Sequence, residues 1–160
     1  MNHINKYFNL LSQFKSCTAS RLPVFLLFYF LSFPCSSGEE PVFLITGLKS
    51  EITHVSQYDL RKVYLGGTAA DNPHINKPVL NKKDTELYRQ FLKNIMHMTD
   101  NGYKRKVIKR IFRQGSDKII EIHNLNELDQ HLKDNPNDLS YITESDIKHM
   151  LNIRTLKKLW

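Results

Sequence analysis

Val42-Phe43-Leu44-Ile45-Thr46-Gly47, then Ser56-Gln57-Tyr58-Asp59-Leu60-Arg61-Lys62-Val63-Tyr64-Leu65-Gly66-Gly67, sets an apolar run before a capped helical pattern. The β-branched and aromatic run Val42 to Ile45 reads as a buried strand that enters a loop at Thr46-Gly47. Ser56, with Asp59 three residues on, reads as a helix N-cap with an acidic first turn, and Leu60, Val63 and Tyr64 follow at helical spacing. Gly66-Gly67 then stop that helix. A strand handed directly to an amphipathic helix is the unit of an α/β domain.

Downstream the alternation continues. Gly66 to Lys77 has loop composition, and Pro78-Val79-Leu80 is long enough only for a small strand. Asp84 or Thr85 can cap a helix whose apolar residues Leu87, Tyr88, Phe91, Leu92, Ile95 and Met96 form a buried stripe. Asn101-Gly102 interrupt it. Tyr103, Val107, Ile108, Ile111 and Phe112 predict a second buried stripe, opposite Lys104, Arg105, Lys106, Lys109 and Arg110. Gln114 to Asp117 read as a turn, Ile119 to Ile122 as a strand, and Asn124 as the cap of a helix with Leu125, Leu128 and Leu132 inward. Asn135-Pro136-Asn137-Asp138 is a turn before a strand at Leu139 to Ile142, whereas Asp146 to Trp160 mixes helical and strand spacing and its type stays open. The expected architecture is α/β, a short mixed sheet flanked by amphipathic helices.

Upstream lies Leu22 to Phe33, an apolar run entered from Lys6, Lys15 and Arg21 and left through Pro34-Cys35-Ser36-Ser37-Gly38. A positive region, an apolar region and small residues before Glu39 predict a secretory signal peptide over residues 1–38, with residues 39–160 as one exported domain. The run falls short of the roughly 20 residues needed to span a bilayer, so no transmembrane span is expected in the mature chain. An uncleaved anchor, a core element and lipid attachment at Cys35 are the competing readings.

The chain carries 23 Lys and Arg against 16 Asp and Glu, and three of those cations precede residue 22. The remaining basic excess suits an anionic ligand or surface without dictating a fold. Both cysteines, Cys17 and Cys35, fall within residues 1–38, so the expected mature domain has neither a disulfide nor a cysteine metal site. His54, His74, His97, His123, His131 and His149 lack paired ligand spacing, and no metal or other cofactor is expected. No nucleophile elbow, phosphate-binding Gly-rich loop with Lys-Ser/Thr, or apolar carboxylate pair stands in the sequence, which argues against an enzyme.

Several short motifs, taken in order, resemble a known family. They are Leu60 to Gly66, Ile75 to Val79, a helix carrying Arg89 and Phe91, Phe112-Arg113-Gln114-Gly115, and Asn135 to Ile142. Together they resemble the short exported phosphate-transporter substrate-binding-like proteins, small relatives of the periplasmic phosphate-binding protein in the type 2 periplasmic-binding superfamily. Ser140 stands where that family often has Gly, and Asp71-Asn72-Pro73-His74 replaces a Trp-Pro-Gly-like loop. The resemblance implies a periplasmic-binding-like fold, phosphate or another small oxyanion as ligand, and a membrane transporter of the ABC type as partner. The alternative is a periplasmic accessory protein that keeps the fold and contacts an envelope complex.

Two anion sites are candidates. Lys82, Lys83 and Thr85 lie in Asn81-Lys82-Lys83-Asp84-Thr85, where the resembled family carries a Ser-Gly-Thr helix start; a helix N-terminus suits an anion. The same residues also read as a plain cap beside solvated lysines. Arg113 with Gly115 and Ser116 reads either as a backbone nest for an anion or as a turn. The basic helix 104–113 invites a nucleic-acid or membrane-surface reading. Tyr103 and Phe112 are expected on its buried stripe, which leaves no stacking platform and argues against nucleic acid.

Overall fold

The computed structural model describes residues 39–115 and 118–160. The expected leader, residues 1–38, lies outside the described residues, as does Ser116. Residues 39–160 form one compact unit.

β1 (Val42–Gly47) runs between β4 (Ser140–Thr143) and β5 (Ile153–Lys158), antiparallel to both. Its register with β4 pairs Phe43 with Ile142 and Ile45 with Ser140, and a bulge between Leu44 and Ile45 shifts its register with β5. A strand covered on both faces has no polar side, which is why the run 42–45 is apolar throughout. Leu44 and Tyr141 point into one core layer, and their neighbours Ile45 and Ile142 into the other.

β2 (Val79–Asn81) and β3 (Ile120–Ile122) form a parallel pair. A single parallel bridge, Pro78 with Leu139, joins that pair to β4. Beyond the bridge the backbones part and side chains fill the gap. Asn81 Nδ2 donates to Tyr141 O at 3.1 Å, and Tyr141 Oη donates back to Asn81 O at 3.0 Å. The Tyr64 hydroxyl reaches Val79 O and Leu139 O, both at 3.1 Å. The Tyr64 hydroxyl thus adds a side-chain donor at Val79 O and shares Leu139 O with Val79 N, 2.8 Å away.

The larger layer holds α1 (Gln57–Tyr64), α2 (Thr85–Phe91), a π-helical turn (Leu92–Met96) and the start of α3 (Asp100–Gln114). Ser56 caps α1 as expected, accepting from Asp59 N. At its other end Gly66 N–H reaches Val63 O and Gly67 N–H reaches Lys62 O, with Gly66 at φ 80°, the Schellman arrangement. The pairs Leu87/Tyr88, Phe91/Leu92 and Ile95/Met96 recur every four residues, so on a regular α-helix each pair would drift about 40° from the last. The wider π turn offsets that drift, and all six side chains are buried. Phe91 stacks on Tyr141 with ring centroids 3.9 Å apart, and Tyr64 tilts against Phe91 at 4.8 Å.

The other layer holds α4 (Leu125–Asp134) and α5 (Glu144–Ile147), with Leu128 and Leu132 buried against Ile45, Val79 and Ile142. The open segment 146–160 resolves into the end of α5 and the edge strand β5. The mixed α/β architecture is therefore the expected one. Asn101-Gly102 do not interrupt a helix; they lie in the first turn of α3, behind the cap Thr99. No helix among the described residues is long and apolar enough to cross a membrane.

Candidate functional site

The turn that enters α2 brings Lys82, Lys83 and Thr85 into sequence order but not into a cationic site. Lys82 Nζ is 2.8 Å from Glu121 Oε2 and lies 4.8 Å from the centre of the Tyr88 ring. Lys83 Nζ is 2.7 Å from Asp146 Oδ1. Asp84 Oδ1 accepts from Glu86 N at 2.7 Å, so the carboxylate of the chain itself occupies the anionic place at the helix start. These residues form a cap with two ion pairs that tie β2 to β3 and to α5.

The second candidate stands differently. Arg113 lines a cleft of about 320 Å³ with Leu65, Lys106, Lys109 and Arg110. Gly115 lines a neighbouring cleft of about 360 Å³ with Gly66, Gly67, Thr68, Lys77 and Lys118 among others. Arg110 of the first cleft lies beside Gly67 of the second, so close that a Cβ on Gly67 would sit 3.0 Å from its Nη2. No carboxylate is among the described residues lining either cleft. Gly115 takes φ 62° and gives its N–H to Ile111 O at 3.0 Å, capping α3. That donor is spent inside the helix, so an anion here would be held by side chains rather than by a nest built on Gly115.

Sequence periodicity missed how α3 sits. Tyr103 is buried and donates through Oη to Tyr64 O at 2.8 Å, and Val107 and Ile111 are half-buried one and two turns later. Ile108 is 51% exposed and Phe112 85% exposed. At about 100° per residue, 103, 107 and 111 follow one line while 108 and 112 stand about a quarter-turn to its side. The helix touches the core along the narrow line only, and the expected burial of Ile108 and Phe112 is corrected. The exposed pair is flanked by Lys104, Arg105 and Lys109, all exposed.

A third hollow, about 680 Å³, runs beside the π turn and is lined by Tyr88, Arg89, Leu92, Lys93, His97 and Met98 among others. At its edge Tyr88 Oη donates to Asp100 Oδ1 at 2.7 Å, and Lys104 Nζ holds Asp100 Oδ2 at 2.6 Å. Lys104 and then Tyr88 hold the Asp100 carboxyl below its usual range, while burial and the bond to Asp100 push the Tyr88 phenol up. Tyr88 is thereby a fixed donor rather than a proton shuttle. No group of His, Cys, Asp and Glu among the described residues could hold a metal ion.

The signal that singles out the basic cleft was present in the sequence as the spacing of Lys106, Lys109, Arg110 and Arg113, three and four residues apart on one helix. What it faces, Leu65 and the Gly66-Gly67 turn, was not. Compared with family models, with curated proteins and with solved structures, the chain matched none.

Proposed function

We propose that the protein is a non-catalytic, exported oxyanion-binding domain of the periplasmic solute-binding type, which takes phosphate or a phosphate-bearing ligand at the basic cleft beside the C-terminal half of α3. One observation carries the reading: Lys106, Lys109, Arg110 and Arg113 line a single cleft with Leu65. Cations gathered around a concave surface raise the local concentration of anions. Arginine adds a planar fork that matches two phosphate oxygens. The order of motifs that resembles the phosphate-binding-like proteins supports the ligand class, and the pattern over residues 1–38 supports export and a membrane transporter as partner.

Isothermal titration with phosphate, sulfate and polyphosphate tests the reading. Saturable heat with phosphate is expected, lost in Lys109→Ala with Arg113→Ala and retained in Lys82→Ala with Thr85→Ala. Silence at millimolar phosphate overturns it and leaves the accessory-protein alternative. N-terminal sequencing of the exported chain tests the address, with Glu39 expected first.

A further inference from the structure

Phe112 and Ile108 stand a helical turn apart on the outer side of α3, 85% and 51% exposed. A large apolar pair left in water is an unusual feature of a small domain unless something covers it. What covers it is indicated by its surroundings. The helix carries Lys104, Arg105, Lys106, Lys109, Arg110 and Arg113, and its one carboxylate, Asp100, is already bound by Lys104 and Tyr88 at the far end. An apolar stripe set among cations on a helix that lies along the surface matches the boundary of a bilayer with anionic headgroups.

We infer that the exposed Ile108–Phe112 side of α3 docks on an anionic phospholipid surface, the two apolar side chains entering the headgroup layer while Arg105 and Lys109 meet lipid phosphates. A protein partner with an apolar groove would cover the pair equally well, but it would give no reason for the cations Arg105 and Lys109 set along the stripe. Single-stranded nucleic acid would use the cations and one aromatic ring, whereas stacking platforms set several rings along the strand. The apolar pair on which the proposal rests, Phe112 and Ile108, does not line the basic cleft, which shares only Lys109 with this surface.

The test uses the full chain with Phe112→Trp as reporter, mixed with vesicles of phosphatidylcholine alone or with phosphatidylglycerol added. A blue shift of the new tryptophan is expected with phosphatidylglycerol only, weakened by added salt. Arg105→Glu, which replaces a cation by an anion, should reduce the affinity by about tenfold, given the contribution of each charge near an anionic membrane. Ile108→Ser with Phe112→Ser should lower co-sedimentation of the chain with those vesicles and leave its melting temperature and its heat of phosphate binding unchanged. The proposal is overturned by no shift with phosphatidylglycerol, by an equal shift with neutral vesicles, by undiminished co-sedimentation of the double serine variant, or by a shift with single-stranded oligonucleotide but not with vesicles.

Discussion

Gly47 ends β1 where the chain passes under the 135–138 turn. A Cβ there would collide with Leu132 O and lie 2.5 Å from Pro136 Cα, both backbone atoms that cannot swing aside. The close approach serves a hydrogen bond, Gly47 N to Pro136 O at 3.0 Å. Gly47→Ala should therefore cost about 3 kcal/mol, at the upper end of the usual range for forcing atoms into a packed site, measured by urea unfolding. His97 presents the opposite case. It ends the π turn at φ 53°, a region that suits Gly, and compensates with a contact from Nδ1 to Lys93 O at 3.1 Å. Steric relief at that angle exceeds the lost contact and the extra freedom of an unfolded Gly, so His97→Gly should raise stability by about 0.5–1 kcal/mol. A lower midpoint for that variant would show that the histidine ring contributes more than its backbone costs.

The seam between β2 and β4 is the element on which the sheet depends, because only one bridge joins the two strands by backbone alone. Asn81 and Tyr141 exchange bonds across it, and Asn81 Oδ1 also accepts from Lys83 N at 3.1 Å. Asn81→Ala should cost about 2–3 kcal/mol and Tyr141→Phe about 1 kcal/mol, and the double variant should cost about their sum, because the two bonds share no atom and each substitution leaves a different main-chain carbonyl without its side-chain donor. A double-variant cost well below the sum in urea melts would show that the two bonds are coupled through the backbone of the seam. None of this was legible in the sequence, where Val79 and Leu80 read as a small strand and Asn81 groups with the helix start at Lys82 to Thr85. Elements with one dominant period were readable: the α2 stripe and the capped α1 emerge where the pattern puts them. The segment 146–160 was not, since β5 is an edge strand whose residues are half-buried or exposed, and whose Arg154 and Lys157 bind carbonyls of Ser50, Ile52 and Val55 far away in the chain. The candidate site was legible in part. A row of cations shows on a helical wheel, but the carboxylates that occupy Lys82 and Lys83, Glu121 and Asp146, lie on other elements that only folding brings near. The exposure of Phe112 was hidden for a related reason: five apolar residues at helical spacing describe a stripe, and the width of the neighbouring core decides how much of it is covered.

For the molecule as a whole, the absence of cysteine beyond Cys35 leaves stability to the core and to hydrogen-bonded charges, and the charges make it depend on pH. Asp59 is the clearest case. It is buried at the start of α1, its Oδ1 accepts from Ala70 N at 3.0 Å, and its Oδ2 accepts from Ser56 Oγ at 3.0 Å. The Ala70 N–H, first, and the Ser56 hydroxyl hold its carboxyl below the usual range against the opposing effect of burial. Glu40, bonded to Ser145, and Asp100, bonded to Lys104, are shifted the same way. A carboxyl with a lower pKa folded than unfolded stabilises the fold above its unfolded pKa, and that contribution is lost as pH falls through the folded value. The domain should therefore lose melting temperature steadily as the solution is taken from about pH 6 to about pH 2. Asp59→Asn keeps an oxygen for Ala70 but removes the charge. Its melting curve against pH should start below that of the parent at neutral pH and fall less steeply, so that the two draw together in acid; a constant gap across the series would mean that Asp59 acts through shape and hydrogen bonding alone.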